Sequence, residues 1–223
     1  MSFRVVILSS RATNLVPCVR ALLECEPTLQ PADVIVVDDG ARASAEAGLP
    51  SVEWVTGITP FIFARNANLG ISAAGTDVIL VNDDARLITP QGFSLLCSEM
   101  KKHPDVGICS AGIRGAVGNP RQIATRAPHF RYETRAIAFV CANIPWSTYV
   151  HVGPFDERFS GYGFEDNDYC TRVLAARRKI GIWDGCVVDH TGELPSTFRT
   201  RADLMALFER NRQLYRSKWG RDA

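Results

Sequence analysis

The stretch Gly161-Tyr-Gly-Phe-Glu-Asp-Asn-Asp-Tyr169 packs Glu165, Asp166 and Asp168 into four residues. Carboxylates that close repel one another, so they require a metal, a cationic partner or a proton in transit. Two further sets lie elsewhere: Asn82-Asp83-Asp84 after the apolar run Val78–Val81, and His190 after Val187-Val-Asp189. A divalent ion bridging protein oxygens to a diphosphate needs one or two carboxylates, leaving its other positions to phosphate and water. Adding an imidazole suits Mn²⁺ better than a purely oxygen site would. Together these residues predict metal-assisted group transfer with a carboxylate as base. The competing readings are a capped turn at 82–84 and a structural histidine at 190.

Glu165-Asp166 lies just before a helix expected over Tyr169–Arg177. The positive helix end favours the ionised form that a general base must have. Asp168 is expected to cap that helix. Asp38-Asp39-Gly40 is either a turn or a place where Asp39 accepts hydrogen bonds from a nucleotide base, with Ser9 touching the same base or its ribose. Arg65 would bring a positive charge near the base or the diphosphate.

The elements that must position these residues follow from apolar patterning. Buried strands are expected at Arg4–Ser9, Asp33–Asp38, Val52–Val55, Asp77–Val81, Val106–Ser110, Ala136–Ala142, Lys179–Trp183 and Val187–His190. Helices are expected over Leu15–Glu26, Asn66–Ala74, Phe93–Lys102, Tyr169–Arg177 and Asp203–Trp219. Strands apolar on both faces and alternating with helices indicate a parallel sheet covered on both sides. Ligands bind such sheets beyond the carboxyl ends of the strands. Ser9, Asp38-Asp39 and Asn82-Asp83-Asp84 are therefore expected on one rim.

At 223 residues the chain suits one domain with a substantial core. A net charge of +1 excludes a whole-protein nucleic-acid footprint. The seven cysteines form no C-x-x-C pair and read as buried free thiols of a reducing compartment. No run reaches the ~20 apolar residues that span a bilayer, and the short apolar N-terminus is no signal core. A soluble cytoplasmic protein is expected.

Several ordered motifs resemble one family. Val5-Val-Ile-Leu-Ser9 and Val34-Ile-Val-Val-Asp-Asp-Gly-Ala41 resemble its opening strand and "DDGS" turn. Ala64–Asp84 resembles its "ARNxGxxxAxGxxIxxLDxD" segment, while Val152–Phe159 and Gly163–Tyr169 resemble "VGxFDExF" and "GxEDxDL". In these motifs the chain resembles a GT-A fold glycosyltransferase of the large family 2 type. The resemblance implies an α/β fold, with a Rossmann-like, mostly parallel central sheet flanked by helices and a small acceptor-side lobe. It implies a single domain over 1–223, with a nucleotide-sugar half (1–112) and an acceptor-binding, catalytic half (113–223).

Carried over by residue, the resemblance implies that Asp39 and Ser9 hold the base, with Arg65 nearby. Asp84 and His190 would hold Mn²⁺ or Mg²⁺, and Asp83 would border the ribose or the metal. Asp166 would be the base of an inverting transfer, and Glu165 would help hold the acceptor. The implied reaction moves one sugar from a nucleotide-diphosphate sugar to a hydroxyl. UDP-sugars are the default donor, and dTDP- and GDP-sugars stay open. Two departures stand out: Asn82 replaces the first carboxylate of the D-x-D motif, and Ala41 replaces the serine of the turn. The alternatives are an inactive sugar-nucleotide-binding module and a nucleotidyltransferase. Intact Glu165, Asp166 and His190 oppose the first, and the glycine-free Ser9-Ser-Arg-Ala-Thr13 opposes the second.

The acceptor is open. Arginines 114, 121, 126, 131 and 135, with only Glu133 opposing them, form one basic stretch. Arg199, Arg201, Arg210, Arg212, Arg216, Lys218 and Arg221 form another. Either is a solvated surface or a contact for an anionic acceptor: a lipid-linked diphosphate, a nucleotide or modified DNA. A saccharide is the uncharged candidate. Trp146, Tyr162 and Phe164 are expected to line the acceptor cleft, since sugar rings stack on aromatic faces, whereas Trp183 is expected in the core. Gly161 and Gly163 would let the Tyr162 loop move on donor binding.

Overall fold

The computed structural model describes residues 3–115, 119–161, 163–191 and 204–222. Its first half alternates strictly: β1 (Phe3–Ser9), α1 (Ala12–Cys25), β2 (Val34–Asp38), a single turn α2 (Arg42–Ala45), β3 (Glu53–Thr56), α3 (Phe63–Ala74) and β4 (Asp77–Asn82). There follow β5 (Arg86–Leu87), α4 (Gly92–Met100), β6 (Val106–Arg114), β7 (Phe130–Glu133), β8 (Cys141–Ile144), α5 (Trp146–Val152), α6 (Glu165–Ala175), β9 (Lys179–Asp189) and α7 (Leu204–Trp219).

One mixed sheet runs through the whole in the order β3-β2-β1-β4-β8-β6-β9-β5, with β7 also on β9. Strands β1, β2, β3 and β4 are mutually parallel. Because β8 is antiparallel to both β4 and β6, β6 and its parallel partner β9 point the same way as β4. The carboxyl ends of these strands therefore share one edge. Alternate residues feed opposite faces: Val5, Ile7, Val34 and Val36 pack into one core, and Val6, Leu8, Ile35 and Val37 into the other. That two-sided burial is why the strands read as unbroken apolar runs. A third, small cluster of Phe159, Phe164 and Tyr215 lies under α7 and forms the side lobe.

Elements α2, β5, β7 and α5 are not among those expected from the sequence, and three expected elements differ. Ala136–Ala142 is not a strand; pairing starts at Cys141. The Gln122 amide instead satisfies Ala138, accepting from its N–H at 2.7 Å and donating to its carbonyl at 2.9 Å. Asn119 similarly donates to the Ala136 carbonyl at 2.8 Å. The two strands expected around 179–190 are one strand, β9, whose register against β6 slips between Trp183 and Val187. The third departure is α6, which begins at Glu165 rather than Tyr169. All seven cysteines are free thiols, five of them buried.

Gly70 shows how tightly α3 lies on the sheet. A Cβ there would collide with Val6 Cγ1 and come within 2.9 Å of Val37 Cγ2. Gly70→Ala is expected to destabilise the fold by about 1–3 kcal/mol through overpacking. Urea unfolding measures this, and an unchanged midpoint would contradict the close approach.

Candidate active site at the carboxyl rim of the sheet

Parallel registry sets the first part of the rim. Ser9 lies beside Asp38, and Leu8 beside Asn82, so the ends of β1, β2 and β4 are neighbours. Asp38 Oδ1 accepts from the N–H groups of Gly40 and Arg42, both at 2.9 Å, which closes the Asp-Asp-Gly turn. Asp39, half-buried at that turn, donates its backbone N–H to the Ser9 carbonyl at 2.9 Å. Ser9 itself is 1% exposed, and its hydroxyl donates to Asp83 Oδ2 at 2.6 Å. The side chain expected to touch a nucleotide thus ties β1 to the end of β4. Asp83 is buried as well; burial pushes its carboxyl up to about 6, against the opposing pull of the Ser9 hydrogen bond. In the first turn of α3, Arg65 donates to the carbonyls of Ile58 and Pro60 and so orders the loop beside Asp38–Gly40.

The second part comes from antiparallel pairing. β5 turns back from β4 and pairs with the end of β9, Arg86 opposite Asp189 and Leu87 opposite Val188. That register carries Asp84 to His190. His190 Nε2 lies 3.1 Å from Asp84 Oδ1, and the side chains are only 6% and 10% exposed. One carboxylate oxygen and one imidazole nitrogen converging at the rim fit a Mn²⁺-type ion. Among the described residues no group of three or more His, Cys, Asp or Glu is placed to hold a metal. An ion held by these two side chains would take its other ligands from a bound substrate and water.

The third part is the start of α6. Three residues join α6 to β9, so the helix runs back along the strand and its first turn faces the carboxyl rim. Its 11 residues rise about 16 Å, close to the height of a five-residue strand. Glu165 and Asp166 stand in that first turn, half-buried. Phe164 enters the helix at φ +74°, with no side-chain cap. Asp166 Oδ1 accepts from the Asn167 N–H at 2.8 Å. Burial and the neighbouring carboxylate push Glu165 well up, and burial also raises Asp166 against the backbone hydrogen bonds. The helix end does favour the anion, but burial outweighs it.

Several expected roles are placed otherwise. Asp168 caps nothing: it is fully buried in the first turn of α6, paired with Arg172 Nε at 3.0 Å and Lys218 Nζ at 2.8 Å, and it accepts from Trp219 Nε1 at 2.8 Å. Phe164 is buried with Phe159 and Tyr215 beneath α7, so its ring is core rather than an open acceptor platform. Trp146 begins α5, where its N–H donates to Asp77 Oδ1 at 2.8 Å. Asp77 opens β4, so Trp146 sits at the opposite edge of the sheet, a strand length from the rim. Trp183 packs against the core as expected. Tyr162, Arg199 and Arg201 lie outside the described residues.

Half of the twelve cations in the basic stretches have acidic partners among the described residues. Arg114 pairs with Asp189, Arg121 with Glu133, and Arg131 with the buried Asp184. In α7, Arg212 and Arg216 pair with Asp222, and Lys218 with Asp156 and Asp168. The acids on β9 are far in sequence from the arginines they meet, so Glu133 is not their only opponent. Sequence reasoning also missed Asn211, a fully buried amide on α7. Its signal was a polar residue midway along the stripe Leu207, Asn211, Tyr215 at helical spacing.

Raised carboxyls make this site costly. The folded state disfavours their ionised forms, so the penalty is absent in acid and complete above the raised values. Asp166→Asn is expected to raise Tm near pH 8, by about 2–4 °C per kcal/mol recovered, and to gain progressively less as the pH falls. Thermal melts across pH test this; a Tm lowered at pH 8 would show that the charge is not penalised.

Comparison with protein-family models and with curated proteins gives no match. Comparison with solved structures gives several. The chain aligns with GalNAc-T7 bound to UDP, GalNAc and Mn²⁺ at TM-score 0.68 and 13% identity, covering 85% of this chain and 44% of that one. It aligns with the mannosyltransferase PcManGT from Pyrobaculum calidifontis, in complex with GDP-Man and Mn²⁺, at TM-score 0.68 and 14% identity, over 100% of this chain and 66% of that one. With S. aureus TarS 1–349 the TM-score is 0.59 at 12% identity, covering 99% and 74%. This chain thus spans less than half the length of the GalNAc-T7 chain. At such identities the likeness concerns architecture alone: the chain has a GT-A fold.

Proposed function

We propose that the protein is a metal-dependent inverting glycosyltransferase, which moves one sugar from a nucleotide-diphosphate sugar to an acceptor hydroxyl. The observation that carries this reading is the convergence of Asp84 and His190 on the rim that also bears the carboxylate pair of α6. The structures it resembles, GalNAc-T7 with UDP and PcManGT with GDP-Man, both hold Mn²⁺, which supports the metal-dependent use of a sugar nucleotide. A UDP-sugar is the first donor to test and a GDP-sugar the second.

In this reading Asp39 and the loop ordered by Arg65 bind the nucleotide. The Ser9–Asp83 bond holds the ends of β1 and β4 together beneath it. Asp84 and His190 hold Mn²⁺ or Mg²⁺, which when bound neutralises charge on the leaving diphosphate. Asp166 takes the proton of the acceptor hydroxyl as that oxygen attacks the anomeric carbon from the side opposite the diphosphate. A single displacement of this kind inverts the anomeric centre. Glu165, its carboxyl pushed up by burial and by Asp166 beside it, helps hold the acceptor. Since Arg114, Arg121, Arg131, Arg212 and Arg216 already have acidic partners within the chain, a neutral saccharide hydroxyl is favoured over an anionic lipid, nucleotide or DNA acceptor. Among the described residues no helix is long and apolar enough to cross a membrane.

Sugar nucleotides screened by thermal shift with Mn²⁺ and with EDTA, followed by acceptor trials, test the reading. Asp166→Asn should lower transfer by about 10²–10⁴-fold, the usual worth of a general base, with nucleotide affinity unchanged. Equal loss of both would refute the assigned role. The acid limb of kcat/KM should fall above the ordinary aspartate range, because the base is lost as pH drops through a raised pKa. A limb at about 4 would contradict it.

A further inference from the structure

Helix α7 closes on the loop that precedes the two carboxylates. Gly161 and Gly163 take φ +85° and +82°, and α7 uses the space their missing side chains leave. A Cβ on Gly161 would come within 2.7 Å of Leu207 Cδ1, and one on Gly163 within 3.0 Å of Phe208 Cδ2. Between these contacts Asn211 is fully buried, and its amide nitrogen donates to the carbonyls of Ser160 at 3.0 Å and Gly163 at 2.9 Å. Further along the helix, Tyr215 meets Thr171 at 2.7 Å, and Lys218 and Trp219 reach Asp168.

A buried amide costs free energy unless its bonds are made, and an apolar side chain would fill this stripe at no such cost. One of these bonds ends at Gly163, the residue before Phe164, whose left-handed backbone starts α6. We propose that Asn211 is a positioning residue for the transfer: by holding the Ser160 and Gly163 carbonyls, it fixes the loop that sets where Glu165 and Asp166 stand on the rim. This rests on the assignment of Asp166 as base.

The test uses the full chain with Mn²⁺ and UDP-glucose, UDP-N-acetylglucosamine or GDP-mannose, reading nucleotide release well below Tm. Asn211→Ala should lower kcat by about 100-fold, the cost of misplacing a reacting group by about 1 Å, with donor KM within twofold. Asn211→Ser keeps one donor; it should fall between the two, and it carries the test if the alanine variant does not fold. A second readout needs no turnover: the ¹³C carboxyl titration of Asp166, followed in the Glu165→Gln background. Its midpoint should drop in Asn211→Ala, as water reaches the freed helix start. A lower Tm with wild-type kcat and an unmoved Asp166 midpoint would reduce Asn211 to a packing role and overturn the proposal. Failure of the base assignment reads differently: Asp166→Asn itself would release nucleotide at the wild-type rate.

Discussion

The pairing of Arg86 with Asp189 and of Leu87 with Val188 decides which side chains meet at the carboxyl rim. Asp84 follows β4, whereas His190 ends a strand three places across the sheet, with β8 and β6 between. Two residues of antiparallel ladder bring the pair to 3.1 Å. The bulge at Trp183–Val187 serves the same end, since it lets β9 continue past the rim while staying on β6. The Ser9–Asp83 bond then fixes the other flank, so three strand ends form one rigid floor.

Above that floor the molecule accepts an electrostatic penalty. Glu165 and Asp166 are adjacent, half-buried and held above their ordinary values. A neutral pair would fold more readily, which is the usual trade between stability and activity at a functional site. The neighbouring acid Asp168 is treated differently. It is buried completely, but Arg172, Lys218 and Trp219 compensate it, and two of these come from α7. Asp168 is thus held by ion pairs, whereas among the described residues no cation forms an ion pair with Glu165 or Asp166.

Much of the sheet was legible in the sequence, because strands buried on both faces leave unbroken apolar runs such as Val5–Leu8 and Val34–Val37. The shared rim followed, since parallel strands put their carboxyl ends together. What was illegible depended on distant partners. Asp168 reads locally as a cap, but its partners Lys218 and Trp219 lie some fifty residues on. Arg114 and Arg131 read as free cations, but meet Asp189 and Asp184 on a strand far along the chain. The start of α6 was misplaced because Phe164 enters it at positive φ without a capping side chain. Ala136–Ala138 looked like a strand because nothing local shows that Gln122 takes its backbone bonds.

The central claim is that the two sides of this rim act on one sugar nucleotide. A crystal structure with Mn²⁺ and an unreactive UDP-sugar or GDP-sugar analogue tests it most directly. The account predicts anomalous manganese density between Asp84 and His190, touching the diphosphate, with the Asp166 carboxylate on the far side of the anomeric carbon. Manganese bound elsewhere, or a nucleotide seated away from β1, β2 and β4, would contradict it.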